Sequence, residues 1–258
     1  MAVDRTYTMQ DAYKSLCGII FSGMEVPDSH PRKASLDLRH RLTDGFERGL
    51  VASAGLIAHG RGEAFDYLLG EKTSVQAKKA EKAAAAMLVK AEKPVISVNG
   101  NVAALCPEEV VKLAKAVGAR IEVNLFYRSG ERMDAIKDVL LKAGAGEVWG
   151  VGVEDRTIPG LTSERAKSDN AILEADVVLV MLEDGDRTEY LKRMGKNVIA
   201  VDLNPLSRTA KKADITVVDN VVRALPAIAA YVKERAKAKP FDNRKNLKDM
   251  ERQIRKGL

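Results

Sequence analysis

Short apolar segments alternate with helical segments over most of the chain, and this order limits the possible folds more than any other feature. Helical periodicity occurs at 107–117, 131–143, about 163–174, 185–195 and 220–237. The apolar segments predicted as strands lie at 94–98, 120–126, 147–152, 176–182, 197–203 and 214–219. Strands and helices in this alternation form a parallel sheet covered on both faces. The sequence therefore predicts an α/β fold with a Rossmann-like parallel sheet.

The region before the first predicted strand is expected to be helical. Apolar residues at 38, 42, 46 and 50 recur every four positions and predict a helix over 33–52. The Ala-rich segment 75–92 predicts another helix. Between them, the glycine-containing segment His59-Gly60-Arg61-Gly62 is interpreted as a loop, and a further helix is expected to begin at 64. We therefore expect a helical N-terminal part in front of the sheet.

Composition divides the chain into three parts. Residues 1–28 have little pattern and are expected to form a flexible extension, and 29–237 form the Rossmann-like domain with its helical N-terminal part. Residues 238–258 form a basic, polar tail that is expected to lie outside the core. The formal net charge of +6 arises within 231–258, where ten Lys and Arg outnumber four Asp and Glu. Because only Tyr231 and Phe241 accompany these basic residues, which is too few for a base-stacking surface, we expect no nucleic acid partner.

Membrane, secreted and metal-stabilised proteins are not expected classes. No apolar run approaches the roughly 20 residues that cross a bilayer, and the first residues lack the pattern of a signal peptide. A cytoplasmic location without a membrane partner is therefore expected. Cys17 and Cys106 have no partner at metal-ligand spacing, and each is expected to be a small buried apolar residue.

Polar residues follow several predicted strands, where an open parallel sheet binds its ligands. Asp202 could accept hydrogen bonds from ribose hydroxyls, with Asn204 turning the chain and Arg208 reaching a phosphate. The alternative is a turn in which Asp202 and Asn204 bond to their own backbone. We favour nucleotide binding, because a turn alone does not require Arg208. The neighbouring Asn99-Gly100-Asn101 is either a tight turn or a pair of amides that grips a small hydroxylated substrate.

Two further groups have both a functional and a structural interpretation. Glu183, Asp184 and Asp186 could hold Mg²⁺ or orient a polar substrate, but Asp186 could equally be a helix N-cap. In the segment 59–63, two glycines would let backbone N–H groups approach a phosphate and Arg61 would add a guanidinium. The alternative is a connection with Arg61 facing water. The segment matches neither a Walker A loop nor a GxGxxG fingerprint, and Arg39 is by default a solvated charge.

Taken together, several motifs resemble the archaeal phosphopantothenate synthetase family. They occur in order from about Ser29 to Pro226, and they are long and unusual. The motifs are SHPR (29–32), AGLIAHGRGEAFDYLLGE (54–71), VNGNVAAL (98–105), NLFYR (124–128), LEDGDRTE (182–189), DLNPLSRTA (202–210) and ITVVDNVVRA (215–224).

The resemblance implies an ATP-dependent ligase of coenzyme A biosynthesis, a homodimer that joins 4-phosphopantoate to β-alanine. It implies an acyl-adenylate, with pyrophosphate and AMP as the released products and Mg²⁺ shielding the pyrophosphate. It also implies an ATP site formed by Arg39, Arg61, Asp202, Leu203, Asn204, Arg208, Thr209, Asn220 and Val221. On this view Arg39 faces phosphate instead of water.

Further roles are expected on the chemistry of such a ligase. His59 and Arg61 are the expected catalytic residues, with His59 donating to the transferring phosphoryl group or helping to deprotonate the β-alanine ammonium. For the phosphate of phosphopantoate we expect Arg128 or Arg165 with Asn99 and Asn101. A non-catalytic, ATP-binding regulatory module with the same strand-end loops is the alternative. An NAD-dependent dehydrogenase is disfavoured by the missing GxGxxG.

Overall fold

The structure is a computed structural model, and it describes residues 26–152, 156–162, 164–237 and 239–256. Within these residues, five strands form one sheet in which every pairing is parallel, in the order β2-β1-β3-β4-β5. The strands are β1 (Pro94–Val98), β2 (Arg120–Val123), β3 (Val177–Met181), β4 (Asn197–Val201) and β5 (Ile215–Val217). The predicted parallel sheet is confirmed.

Helices precede, connect and follow the strands. The N-terminal part contains α1 (Lys33–Glu47), α2 (Ser53–Leu68) and α3 (Val75–Lys90). The remaining helices are α4 (Gly100–Leu105), α5 (Pro107–Val117), α6 (Gly130–Lys142), α7 (Asn170–Glu174), α8 (Gly185–Arg193), α9 (Arg208–Lys212), α10 (Val221–Lys233) and α11 (Asn243–Lys256), with a 3₁₀ turn at Glu164–Ala166.

Successive residues of each central strand enter different hydrophobic clusters. In β3, Val178 and Val180 pack with α7 and α8, whereas Leu179 and Met181 pack with the helices of the opposite face. The central strands are buried throughout, which explains why they are continuous apolar runs rather than alternating ones. Helices therefore cover both faces, as predicted.

The strand order creates a switch point between β1 and β3. The chain crosses from β1 to β2 on one side, and it then returns to place β3 on the other side of β1. In an open parallel sheet of this order, the loops that follow the two strands diverge and leave a crevice between them. Loops at this edge are therefore the expected place for a ligand.

Three local predictions were wrong, and one of them is the helix near 163–174, which is divided into the 3₁₀ turn and α7. The segment 59–62 is not a loop, because α2 continues through both glycines from Ser53 to Leu68. The segment 147–152 is not a strand of the sheet: Trp149 forms a single parallel bridge with Glu122, and Gly150 and Gly152 then take positive φ angles of 91° and 74°. These left-handed conformations end strand pairing after one bridge.

The C-terminal segment also differs from the prediction, because residues 243–256 form α11 and pack on the domain. Leu247, Met250 and Ile254 are buried in a cluster with Leu203 and Val218. The polar face of the same helix remains in water, so high average polarity concealed an amphipathic pattern.

Helix α11 also covers the outer edge of β5. The side chain of Asn243 accepts a hydrogen bond from the Thr216 backbone N–H at 2.9 Å, and Asn246 donates to the Thr216 carbonyl at 2.9 Å. Asn243 donates in addition to the carbonyls of Ala210 and Ala213. These side chains satisfy backbone groups that an edge strand otherwise leaves open.

Other expectations concern the cysteines and the membrane. Cys106 is a free, buried cysteine, and burial raises the pKa of its thiol, as expected for a small apolar residue. Cys17 and most of the predicted extension 1–28 lie outside the described residues. Among the helices that are described, none is long and apolar enough to span a bilayer.

Candidate active site

Helix α2 lies across the carboxyl edge of the sheet. Near its start, Asn101 donates to the Gly55 carbonyl at 2.9 Å, and a Cβ on Gly55 would lie 2.4 Å from the Asn101 amide oxygen. About two turns later, Gly62 faces the side chain of Leu203. Near its end, Asp66 accepts a hydrogen bond from Asn220 at 2.9 Å. Its glycines thus let α2 approach the strand-end loops closely.

Arg61 lies on this helix near the end of β4. Its side chain is exposed, and its charge acts to lower the pKa of Asp202. Burial has the larger effect and raises that pKa. Asp202 accepts hydrogen bonds from the Asn204 backbone N–H at 2.9 Å and the Ser207 hydroxyl at 2.5 Å. The bonds of a self-capped turn are therefore present, beside a solvent-facing guanidinium.

The loops after β3 and β4 contact each other. Arg208 pairs with Asp186 at 2.6 Å, which raises the pKa of the guanidinium, and the Thr209 hydroxyl donates to the Glu183 carbonyl at 2.8 Å. A Cβ on Gly185 would lie 2.5 Å from the Cβ of Arg208. Glycine at this position thus permits the two loops to meet.

The acidic residues after β3, which are predicted to hold Mg²⁺, have separate partners in the structure. Asp184, and not Asp186, caps α8 by accepting from the Asp186 backbone N–H. Asp186 pairs with Arg208, whereas Glu183 is directed inward, 3.5 Å from the Ser97 hydroxyl and 4.0 Å from Arg187. No group of three His, Cys, Asp or Glu suited to a metal occurs in the part of the chain that the structure describes. Each carboxylate is instead held by a different internal partner.

The two predicted asparagines have structural partners. Asn99 accepts a hydrogen bond from the Val102 N–H as the N-cap of α4, and it donates to the Met181 carbonyl at 2.8 Å. It therefore connects β1 to β3 at the switch point. Next to this contact, Leu182 has a φ of 51°, a strained conformation for a branched residue. Such strain is concentrated at functional sites, which supports this edge as the site.

Of the two predicted phosphate ligands, Arg128 has a backbone partner near the bridge at Trp149. Arg128 donates to the Gly150 carbonyl, and burial lowers the pKa of its guanidinium. Arg165 lies in the 3₁₀ turn, and its side chain is outside the described part of the structure.

Asn220 and Val221 begin α10, at the end of β5. Asn220 is the N-cap, and the adjacent Asp219 accepts from Thr73 at 2.6 Å and from Arg223. Arg223 also pairs with Asp66 of α2. The sequence interpretation missed Asp66 and Arg223, although both lie inside the recognised motifs; their charges connect α2 to this loop.

A cavity of about 690 Å³ lies between α1 and α2. Arg39 lines it and forms hydrogen bonds to both Glu63 carboxylate oxygens at 2.9–3.0 Å, so it is not simply solvated. His59 also lines it; burial lowers the pKa of its imidazole, and its Nε2 has no hydrogen-bond partner among the described residues. Glu63 additionally pairs with Arg32 at 2.8 Å. The motifs SHPR and HGRGE thus meet beside this cavity.

Comparison with known proteins identifies one family. The family model described as phosphopantothenate/pantothenate synthetase matches residues 76–257. A protein of Thermococcus onnurineus named 4-phosphopantoate–β-alanine ligase is 52% identical over 246 residues, covering 91% of this chain and 94% of the relative. Proteins with the same name from Thermococcus kodakarensis and Methanosarcina mazei are 57% and 47% identical, covering 82% and 91% of this chain and 81% and 96% of the relatives.

Proposed function

The chain belongs to the phosphopantothenate/pantothenate synthetase family, and from that premise we propose that it joins 4-phosphopantoate to β-alanine with consumption of ATP. The observation that carries the proposal is the 47–57% identity to ligases of that name over most of both chains. The product is 4′-phosphopantothenate, a precursor of coenzyme A. As a biosynthetic enzyme that consumes ATP, the protein is proposed to act in the cytoplasm.

The proposed reaction has two steps. A carboxylate oxygen of 4-phosphopantoate attacks the α-phosphorus of ATP, and pyrophosphate leaves. The amine of β-alanine then attacks the acyl carbon, and AMP leaves with the bonding electron pair. The first step brings two anions together, so fixed cations contribute more than a strong base.

The residues proposed to bind ATP lie at the ends of β4 and β5 and on helices α1 and α2. Asp202, Leu203 and Asn204 follow β4, Arg208 and Thr209 begin α9, and Asn220 and Val221 begin α10. Arg61 and Arg39 are proposed to bind phosphate oxygens. The exposed positions of Arg61 and Arg208 support this role, because both can move toward a ligand.

His59 is proposed as the second catalytic residue. Burial lowers the pKa of its imidazole, so it is neutral at pH 7 and can accept a proton from the β-alanine ammonium. Its unpartnered Nε2 supports this assignment.

Mg²⁺ is proposed to enter with ATP as part of the substrate. Mg²⁺ in such sites keeps several waters and is bound mainly by phosphate oxygens, with one or two carboxylates. The scattered acidic residues after β3 fit this arrangement better than a dedicated protein site. A homodimer is also part of the proposal, supported by exposed apolar residues on α2, where Ile57 is 76% and Tyr67 59% exposed.

The test is an assay of the purified protein with Mg-ATP, 4-phosphopantoate and β-alanine, in which nucleotides are separated by chromatography. AMP and pyrophosphate formed in equal amounts with 4′-phosphopantothenate are expected. Release of ADP instead of AMP would indicate that the intermediate is an acyl phosphate and not an acyl-adenylate. Binding of ATP without any turnover would favour the regulatory module instead.

A further inference from the structure

A buried ion network connects helix α2 to the start of α10. We call it the Arg223 network, and its members are Asp66, Thr73, Asp219, Asn220 and Arg223. The Arg223 guanidinium donates to Asp66 from Nη2 at 2.5 Å and from Nη1 at 3.2 Å. It also donates to Asp219 from Nε at 2.8 Å and from Nη2 at 2.5 Å. A single side chain thus spans the two elements.

Stability alone does not account for the Arg223 network. Asp66 and Asp219 are only 5% and 2% exposed, and their two carboxylates share one guanidinium. Burying charged groups opposes folding, and well-packed apolar residues often replace a buried ion pair without loss of stability. A hydrogen-bonded network differs from apolar packing in its geometry, because a planar guanidinium bonds to carboxylates in few orientations. Its distinctive contribution is therefore the relative orientation of the elements that it joins.

The elements joined by the network both carry residues of the proposed ATP site. Helix α2 carries Arg61, and α10 begins after its N-cap Asn220. Gly62 and Asp66 are about one helical turn apart, so they lie on the same face of α2. Gly62 faces Leu203 at the end of β4, and Asp66 accepts a hydrogen bond from the Asn220 amide at 2.9 Å. This face therefore fixes α2 against the segments that follow β4 and β5.

The network also fixes Asn220 itself. The amide of this side chain donates to Asp66, and its Oδ1 accepts from the Val222 backbone N–H at 3.3 Å as the cap of α10. The adjacent Asp219 accepts from the Asn220 backbone N–H at 2.7 Å and from the Thr73 hydroxyl at 2.6 Å. Protein partners thus set the position of Asn220 before a nucleotide arrives.

The Arg223 guanidinium is directed toward protein carboxylates. Its Nε and both Nη atoms donate to Asp66 or Asp219. Burial acts to lower the pKa of this guanidinium, but the bonds to the two carboxylates outweigh burial, and the pKa is raised. Arg61, by contrast, is exposed and able to turn toward a phosphate. The geometry therefore gives the two arginines different roles.

We propose that Arg223 is a positioning residue for the nucleotide site. By joining Asp66 to Asp219, it holds the helix that carries Arg61 at a fixed distance and rotation from the start of α10. This inference rests on the proposed function, in which Arg61 and Asn220 bind the same ATP molecule from different helices. A relative shift of these helices would separate the two groups, and a misplacement of about 1 Å can lower a rate about 10²-fold.

The test uses two variants of the network and one control. Arg223→Lys keeps the charge but loses the planar fork, and Asp66→Asn keeps the shape but loses the charge. The control is Asp214→Asn, because Asp214 pairs with Lys192 at 2.7 Å just before β5, at the opposite edge of the sheet. All three variants are expected to have a lower thermal midpoint than the wild type.

Kinetics and calorimetry well below the thermal midpoints distinguish positioning from stability. Both network variants should raise the KM for ATP, and the Kd for Mg-ATP titrated without the other substrates, by at least about tenfold. The KM for β-alanine should stay unchanged, and the control should match the wild type in all three constants. The double variant Arg223→Lys/Asp66→Asn should raise the Kd no more than the larger single change, because both substitutions act on one contact.

Several outcomes would overturn the inference. A lower thermal midpoint with an unchanged Kd for Mg-ATP would leave the network as a structural contact only, and an equal rise in the control would make the effect general. Effects that multiply in the double variant would mean that Arg223 and Asp66 act independently. If Asp66→Asn does not fold, Arg223→Lys decides alone, since it retains every charge. A wild type that binds Mg-ATP without forming AMP would contradict the proposed function while calorimetry still tests the inference, whereas a wild type that binds no Mg-ATP would overturn both.

Discussion

Glu81 of α3 is a buried acid that should make the protein less stable as pH rises. Its side chain is fully buried, and neither carboxylate oxygen has a hydrogen-bond partner among the described residues. The pKa of Glu81 is raised to about 7, mainly by burial and also by the charge of Asp219, while Lys78 and Arg223 act in the opposite direction. The substitution Glu81→Gln keeps the shape of this side chain and removes its ionisation.

The size of this pH-dependent loss of stability follows from the pKa shift of Glu81. The pKa of this carboxyl is 4.5 without the protein environment, so a folded value of about 7 corresponds to a difference of roughly 3 kcal/mol at 1.36 kcal/mol per pH unit. Below pH 4.5 both states are protonated and no cost arises. As pH rises from 4.5 to 7, the unfolded state loses its proton first, and the folded state is destabilised progressively. Above pH 7 the full cost is present.

Urea unfolding at pH 5 and pH 8.5 measures this difference. At pH 8.5, Glu81→Gln should have a free energy of unfolding up to about 3 kcal/mol higher than the wild type, and at pH 5 most of that gain should disappear. Glu147→Gln, at an exposed position, serves as the control and should show no such pH dependence. A gain of equal size at both pH values would refute the reasoning, because it would then arise from packing and not from ionisation.

Three further substitutions test the site and the fold. Arg61→Ala should lower kcat by about 10²-fold or more with an unchanged thermal midpoint, and near-normal turnover would remove Arg61 from the site. Asp202→Ala should mainly raise the KM for ATP, whereas an unchanged KM would leave Asp202 as a turn residue. Asn243→Ala should lower the free energy of unfolding in urea by about 1–3 kcal/mol, because Thr216, Ala210 and Ala213 lose a buried partner. Equal stability would mean that water replaces those bonds.

The sheet was predictable because its strands are buried on both faces. A run such as 176–182 is apolar at almost every position and has no other stable location than the centre of a layered domain. The segment 147–152 is similarly apolar, but its glycines at 150 and 152 adopt left-handed conformations that a pattern of hydrophobicity does not reveal.

The continuity of helix α2 was missed because the prediction depends on local helix propensity. In the structure, tertiary contacts stabilise the helix despite its glycines. Gly60 and Gly62 predict a break, yet the contacts of Gly55, Gly62 and Asp66 with three strand-end loops hold the helix in place. In α11, by contrast, the signal was present: Leu247, Met250 and Ile254 follow helical spacing within a polar segment.

The edge at which the candidate site lies could be inferred from the strand order, whereas its side-chain contacts could not. The predicted strand-end loops lie at one edge of the sheet, because that rule depends only on topology. The hydrogen-bond and ion-pair partners of individual side chains depend on distances in the folded protein, which cannot be obtained from a single sequence. The sequence allows Asp186 to be a metal ligand or a helix cap, but in the structure Asp184 is the cap and accepts from the Asp186 N–H.

The cover that α11 provides for β5 has a consequence during synthesis on the ribosome. Strand β5 ends at Val217, and α11 ends at Lys256. At about 5–20 residues per second, the nascent chain exposes the open edge at Thr216 for roughly 2–8 s before α11 is complete. During that interval, the edge is able to pair with a strand of another nascent chain. Truncated products that lack α11 would retain this tendency permanently and should be the forms that aggregate.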